Sequence, residues 1–255
     1  GQLPHLRAVP IIALGLVAGY AFLRQEGRCA SPVLDLGIFR GNRVFTMSSL
    51  AALVNYAATA SIAYLMSLYL QYIQSLTAAQ AGLVLVAQPI VQTVFSPLAG
   101  RLSDRVQARY VASLGMAFTV AGLAMLTALS ADTTLAYIIA ALVVLGFGFA
   151  LFSSPNVSAL MGAVPRRHYG VASGLVAAMR TFGQMVSMGT VMILFTVFMG
   201  SAQITPEVYG AFLTSTRTAF VISAVLCAFG VFASMARGRN LLAGAPEAAG
   251  PAERT

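Results

Sequence analysis

The sequence predicts an all-α integral membrane protein, and three observations support this fold class. Hydrophobic residues make up 58% of the chain and charged residues only 9%, whereas soluble domains carry about 25% charged residues. Apolar stretches long enough to cross a membrane recur along the chain, and arginines collect in alternate connections between them. A soluble chain of 255 residues could not cover its surface with so few charges, so lipid must be the solvent for most of it.

Seven apolar stretches are predicted to be membrane helices, because a hydrocarbon core of about 30 Å needs roughly twenty apolar residues per helix. They are about Leu6–Leu23, Val44–Tyr72, Ala79–Ala99, Tyr110–Leu129, Leu135–Pro155, Val171–Met199 and Thr218–Ala236. Thr77 and Gln80 have the spacing of a capping box, which predicts a helix start there. Residues 238–255 are rich in Ala, Gly, Pro and Glu and are expected to be disordered.

The distribution of arginines predicts the orientation of these helices. Arginines follow the first, third, fifth and seventh stretches, at Arg24, Arg28, Arg40, Arg43, Arg101, Arg105, Arg109, Arg166, Arg167, Arg237 and Arg239. The alternate connections carry only Asp132, Glu207 and Arg217. Since basic residues are retained in cytoplasmic loops, the arginine-rich connections and the C-terminal tail are expected to be cytoplasmic.

Composition also excludes several function classes. The net charge of +8 does not indicate nucleic-acid binding, because the arginines are dispersed between apolar runs instead of forming a basic stripe on a soluble face. All 15 basic residues are arginines, so a retinal Schiff base, which requires a lysine, is excluded. The isolated Cys29 and Cys227 suggest neither a disulfide framework nor a metal site. No metal-ligand spacing, nucleophile–base pair or phosphate loop is present, so neither an enzyme nor a bound cofactor is expected.

The connection between the third and fourth stretches carries the sharpest local pattern, residues 100–109 (GRLSDRVQAR). We expect a tight hairpin at Gly100 and place Asp104 at the N-terminus of the next helix, where the macrodipole favours an anion. Arg105 and Arg109 could pair with Asp104 or with another helix end and lock one conformational state. A positive-inside loop with a capping aspartate would have the same pattern, and the decapeptide favours neither interpretation.

This decapeptide resembles the loop motif of the major facilitator superfamily, Gly-x-x-x-Asp-Arg/Lys-x-Gly-Arg-Arg/Lys. The matching positions are Gly100, Asp104, Arg105 and Arg109, which together form a candidate cytoplasmic gating motif. Gln107 replaces the second glycine and Ala108 replaces the arginine that follows it. Further segments resemble, in order and at the right helix spacing, the C-terminal part of the fourteen-helix drug–proton antiporter family. They are residues 22–28, 31–40, 146–148, 154–156, 170–174 and 180–183.

The resemblance implies a C-terminal six-helix bundle preceded by one extra transmembrane helix. Residues 1–24 would be the last of two central linker helices, 25–43 a cytoplasmic linker, 44–237 the bundle and 238–255 a disordered cytoplasmic tail. The chain, which begins Gly-Gln-Leu-Pro, is expected to start in mid-protein. Its expected partners are the N-terminal six-helix bundle of the same transporter, membrane lipid and a small-molecule substrate, with no nucleic acid.

The activity implied by the resemblance is proton-coupled efflux of drugs or other small molecules by alternating access in the bacterial inner membrane. A proton gradient, and no cofactor, would drive it. The family's transmembrane acidic residue and antiporter motif usually lie in the N-terminal half. An uptake permease or facilitator of the same fold remains open, because fold does not fix direction or substrate. A non-transporting membrane sensor or scaffold remains open as well.

Polar side chains within the predicted helices are candidates for the lining of a cavity, because such groups are costly in a membrane and often mark pathways. They are Asn55, Thr59, Tyr64, Gln88, Gln92, Asn156, Arg180 and Gln184. Arg180 is the only charge predicted inside a helix; it could face a central cavity or snorkel to the interface. The others could equally form ordinary interhelical hydrogen bonds. Five glycines are expected to allow close helix approach: Gly146, Gly148, Gly174, Gly183 and Gly189.

Overall fold

A computed structural model describes residues 42–200 and 204–235, together with Val17, Ala21, Arg24 and Gln25. Contacts divide the chain into the units Gly1–Asn42 and Arg43–Thr255. The described residues include six helices long and apolar enough to cross a membrane, all in the second unit. Most of the first predicted helix and the predicted C-terminal tail lie outside the described residues.

The six helices confirm the second to seventh predicted stretches, with the boundary changes given below. We label them α1 (Arg43–Thr59, Ile62–Leu68 and Tyr69–Ile73), α2 (Ala78–Leu85 and Ala87–Arg105), α3 (Ala108–Thr127), α4 (Leu135–Gly162), α5 (Tyr169–Met199) and α6 (Tyr209–Met235). Short 3₁₀ turns at Arg166–His168 and Pro206–Val208 precede α5 and α6.

Three predicted boundaries are wrong. Helix α2 continues past Ala99 to Arg105, and α4 continues past Pro155 to Gly162. Each of these helices contains an internal proline, which membrane helices tolerate when neighbouring groups satisfy the freed backbone carbonyl. Helix α6 begins at Tyr209 instead of Thr218, and Arg217 therefore lies inside it.

Helix α1 departs from regular α geometry at its far end. Its last turn, Tyr69–Ile73, is a π-helix in which the Gln74 N–H donates to the Tyr69 carbonyl at 3.2 Å. Ser75 then takes a φ of 55°, and the chain turns back into α2. Because a π-turn holds one more residue than an α-turn, the side chains beyond it are rotated relative to the rest of the helix.

The predicted capping box at the start of α2 is confirmed. The Gln80 N–H donates to Thr77 Oγ1 at 3.3 Å, and the Thr77 N–H donates to Gln80 Oε1 at 3.0 Å. Helix α2 is interrupted at Val86. Pro89, three residues later, has no N–H to bond the Leu85 carbonyl, which explains the interruption.

The helices differ in how completely their neighbours surround them. Helix α3 packs against α4 and α6, α1 packs against α5 and α6, and α2 packs mainly against α4. In the most apolar window of each helix, 56% of residues are buried in α4, but only 17% in α5 and 6% in α2. Helices α2 and α5 thus carry broad exposed faces.

Glycines lie at the closest contacts between helices, but only some of the five predicted glycines do so. A Cβ at Gly148 would lie 2.7 Å from Thr119 N, and one at Gly146 would lie 2.5 Å from the Gln88 carbonyl oxygen. Gly183 likewise packs against the backbone of α1. Gly174 and Gly189 have nothing within 4 Å of a Cβ, so the prediction that they allow close approach is wrong: they lie on the exposed side of α5.

Candidate functional site

The loop motif is divided between two helices. Gly100 and Asp104 lie in the final turns of α2, the connection is Val106–Gln107, and α3 begins at Ala108. The expectation that Asp104 starts the next helix is wrong, as is the expected hairpin at Gly100. Val106 (φ −119°) and Gln107 (φ −55°) make the turn with negative φ, so no glycine is required.

Gly100 packs within the bundle instead. A Cβ at this position would be 3.4 Å from Ser154 Oγ, an ordinary contact between α2 and α4. The Gly100 carbonyl accepts a hydrogen bond from Ser103 Oγ at 2.7 Å. Within the motif, Gly100 therefore belongs to helix packing, and the charged residues are left as the candidates for gating.

The basic residues of the motif differ in their surroundings. Arg105 is exposed at the end of α2. Arg109, in the first turn of α3, has its guanidinium carbon 4.5 Å from the centroid of the Tyr110 ring, and its Nη2 donates to the Tyr110 hydroxyl at 2.7 Å. Its Nε is buried without a hydrogen-bond partner among the described residues. Arg109 is therefore held in place by Tyr110 but not fully hydrogen-bonded.

Arg180 is exposed on α5 and faces α1. Its guanidinium carbon lies 5.8 Å from the centroid of the Tyr56 ring. Gly183 explains this proximity, since a Cβ there would lie 2.7 Å from Tyr56 Cβ and 2.9 Å from the Leu53 carbonyl oxygen. Gln184, one turn beyond Arg180, is also exposed. We call Arg180 and Tyr56 the Arg180–Tyr56 pair.

The polar residues predicted on α1 fall into two groups. Asn55 and Thr59 are buried, and Thr59 Oγ1 donates to the Asn55 carbonyl at 2.7 Å within the same helix. The Asn55 side chain is fully buried, and neither of its polar atoms has a hydrogen-bond partner among the described residues. Tyr64 is 45% exposed. Helix α1 therefore presents no continuous polar face to solvent.

The remaining predicted residues, Gln88, Gln92 and Asn156, lie on α2 and α4. Among the described residues, no hydrogen bond connects them to Asn55, Thr59 or Tyr64 on α1. Gln88 and Gln92 are half-buried on α2, where the Gln88 backbone packs against Gly146. Asn156 lies inside α4 instead of at its end; it is buried, and its Oδ1 has no hydrogen-bond partner among the described residues.

Arg217, like Arg180, lies well inside a membrane-length helix and not in a terminal turn, although its charge had predicted a connection there. Its Nε–H donates to the Leu129 carbonyl, just beyond the C-terminus of α3. A cation is favoured there by the helix dipole. The missed signal was the absence of glycine and proline from residues 211–223, which allows the helix to continue through the charge.

Two further hydrogen bonds join the helix ends around Arg217. The Tyr69 hydroxyl donates to the Ser130 carbonyl at 2.6 Å, and the Gln74 side-chain amide donates to the Thr133 carbonyl at 2.9 Å. These bonds tie the end of α1 to the connection between α3 and α4. Arg217 therefore belongs to a structural cluster at the arginine-poor end of the bundle.

Comparison with known proteins agrees with this architecture. Residues 48–252 match the profile of the Major Facilitator Superfamily. The chain is 27% identical over 225 residues to the riboflavin transporter RibZ of Clostridioides difficile, an alignment that covers 86% of this chain and 48% of RibZ. It is 30% identical over 198 residues to the uncharacterized transporter YebQ of Escherichia coli, covering 78% of this chain and 43% of YebQ.

A third relative carries a drug-related name. The chain is 29% identical over 224 residues to the multidrug efflux pump LfrA of Mycolicibacterium smegmatis, covering 86% of this chain and 44% of LfrA. The chain thus spans less than half the length of these three relatives. The match over residues 48–252 and the six membrane-length helices lead to one conclusion: the chain belongs to the major facilitator superfamily.

Proposed function

We propose that the chain is the C-terminal part of a proton-coupled efflux transporter of the fourteen-helix drug–proton antiporter family, which exports drugs or other small molecules by alternating access. The observation that carries the proposal is the pair of exposed edge helices, α2 and α5, in a chain that spans less than half of its transporter relatives. Leu83 and Val94 on α2, and Met192 and Val197 on α5, are between 59% and 75% exposed.

The proposed partner for part of this surface is the N-terminal six-helix bundle of the same transporter, with lipid covering the rest. In this proposal residues 1–24 form the last central linker helix and residues 25–43 a cytoplasmic linker. Residues 44–237 form the C-terminal bundle, and 238–255 a cytoplasmic tail. The protein would lie in the bacterial inner membrane with its arginine-rich connections in the cytoplasm.

The charged residues of the loop motif support a gating role. Asp104 lies at the C-terminus of α2 and Arg109 at the N-terminus of α3, so each charge is opposed by the dipole of its own helix. The helix dipoles therefore do not stabilise these two charges, and the buried Nε of Arg109 has no hydrogen-bond partner among the described residues. We therefore propose that Asp104, Arg105 and Arg109 contribute to a cytoplasmic latch that closes in one state and opens in another.

An uptake permease or facilitator of the same fold is the second candidate, because RibZ is named a riboflavin transporter, not an efflux pump. The test uses the whole transporter in proteoliposomes with ethidium as the probe. Efflux-type coupling predicts ethidium movement against its gradient when a pH gradient is imposed, and loss of that movement when an ionophore collapses the gradient. Movement only down the ethidium gradient, with no response to pH, would favour the facilitator.

The same assay tests the latch. Asp104→Asn keeps the side-chain size but removes the charge, and it should shift the balance of states by roughly five- to 150-fold, the usual range of conformational coupling. Transport per folded molecule should fall accordingly. Asp132→Asn, in the connection between α3 and α4, is the matched control and should transport normally. Equal transport by the two variants would leave the motif as a charged turn without a gating role.

A further inference from the structure

We propose that the Arg180–Tyr56 pair is an anion-binding subsite on the transport pathway, and that molecules with a carboxylate or a comparable anionic group are among those transported. This inference rests on the proposed transport function and specifies its substrate class.

The depth of Arg180 argues against a lipid-facing position. Helix α5 has 31 residues and is about 46 Å long at 1.5 Å per residue. A hydrocarbon core of about 30 Å leaves about 8 Å of helix beyond each boundary if the helix is centred. Along the helix axis, Arg180 lies about 16 Å beyond Tyr169, the first residue of α5, so its Cα would lie about 8 Å inside the hydrocarbon. An arginine facing lipid at that depth is unfavourable, and ionisable side chains within spans usually face the bundle interior or a water-filled cavity, so we place the exposed side of Arg180 against protein or water.

The geometry of the pair orients the guanidinium. Its carbon lies 5.8 Å from the Tyr56 ring centroid, within the range of a cation–π contact. The close approach at Gly183 fixes the distance between α1 and α5, so the ring is a firm platform. No hydrogen bond joins the Arg180 guanidinium to another described residue. The N–H donors therefore remain available for a planar acceptor such as a carboxylate, which arginine binds in bidentate fashion.

The charge balance of the described residues leaves this cation without a nearby carboxylate. The acidic residues among them are Asp104, Asp132 and Glu207. All three lie at helix ends or in connections, away from the middle of α5. An arginine within a membrane span usually has a partner, and the natural partner of a guanidinium is an anion. That anion can come from a transported molecule or from an acidic side chain elsewhere in the transporter, and the experiment must separate these sources.

The experiment compares an anionic and a cationic probe in the whole transporter. Carboxyfluorescein and ethidium fluxes are measured in proteoliposomes and normalised to folded protein. Arg180→Gln should lower carboxyfluorescein flux at least tenfold, because the charge-assisted contact is lost, while ethidium flux should stay within twofold of the wild type. Arg180→Lys should retain part of the carboxyfluorescein flux. The matched control, Arg166→Gln, removes an exposed arginine outside the spans and should alter neither flux.

Tyr56 variants test the platform. Tyr56→Phe keeps the ring and should keep carboxyfluorescein flux, whereas Tyr56→Leu removes the ring and should lower it. An equal loss of both probes in Arg180→Gln would point to an ion pair with the transporter's own carboxylate and would overturn the proposal. Unchanged carboxyfluorescein flux in Arg180→Gln would also overturn it. Failure of the proposed function is a different result, namely wild-type flux that does not respond to a pH gradient.

Discussion

Helices α4 and α5 have similar lengths and both contain glycines, but their surroundings differ. They contain 28 and 31 residues, and each has glycines in its apolar interior. Helix α4 packs against α2 and α3 and is 56% buried in its most apolar window, whereas α5 packs against α1 and α6 and is only 17% buried. The comparison shows that an apolar helix with many glycines can be either a central packing element or an exposed edge.

The glycines themselves show the difference most directly. Gly148 on α4 leaves no room for a side chain, because a Cβ would lie 2.7 Å from both Thr119 N and Thr119 Oγ1. Gly189 on α5 has nothing within 4 Å. Glycine therefore brings two backbones together in the first case and leaves a smooth exposed surface in the second.

The largest expected effect is on folding. Gly148→Leu should destabilise the protein by about 3 kcal/mol, because the obstructing atoms include Thr119 N and the Gly115 carbonyl oxygen in the backbone of α3, and the two helices would have to separate. The measurement is thermal unfolding of the purified protein in detergent. Gly189→Leu is the matched control and should unfold within a few degrees of the wild type. Similar melting temperatures for the two variants would remove the distinction between the helices.

Arg180 and Arg217, which both lie well inside membrane-length helices, also differ in their surroundings. Arg217 donates to the Leu129 carbonyl and is half-buried, whereas Arg180 is exposed. Arg217→Gln should lower the free energy of unfolding by about 1.5–3 kcal/mol, the usual value of a hydrogen bond made by a charged group. Arg180→Gln should change it by less than about 0.5 kcal/mol, as expected for a surface position. Chemical denaturation of both variants would check this, and a larger loss for Arg180→Gln would reverse the assignment of structural and functional roles.

A smaller effect is expected where α5 is tied to α1. The Ser61 N–H donates to Ser187 Oγ at 3.0 Å, and both residues are buried. Ser187→Ala removes the acceptor and should cost about 1 kcal/mol. Ser173→Ala changes an exposed serine of the same helix and should be close to neutral. Thermal unfolding distinguishes the two, and equal midpoints would mean that this bond contributes nothing to the packing of α5.

Sequence alone predicted the helices well, because the requirement for about twenty apolar residues per crossing acts locally. The end of α2 was misplaced since Pro97 and Gly100 both resemble helix terminators, yet the helix continues to Arg105. The start of α6 was misplaced since Arg217 resembles a loop charge. Its partner, the Leu129 carbonyl, is distant in sequence, so no local pattern could reveal it.

The arrangement of the candidate site residues could not be predicted from the sequence. Arg180 and Gln184, one turn apart on α5, are both exposed. The face of α1 that contains Asn55 and Thr59 proved to be buried, because burial depends on which neighbour covers each helix. The proximity of Arg180 to Tyr56 depends on the contact at Gly183, a tertiary feature that helical periodicity does not contain.

The π-turn at Tyr69–Ile73 bears on how chain length can vary in this region. Successive residues of an α-helix are about 100° apart, so removing one residue from an ordinary α-turn rotates everything that follows. In the π-turn the same deletion would convert the π-turn into an α-turn. The change would be confined to Tyr69–Ile73 and the connection after it, and the buried residues before Tyr69 would keep their positions. A one-residue gap at this point in an alignment would therefore indicate a local change of winding and not a displaced membrane span.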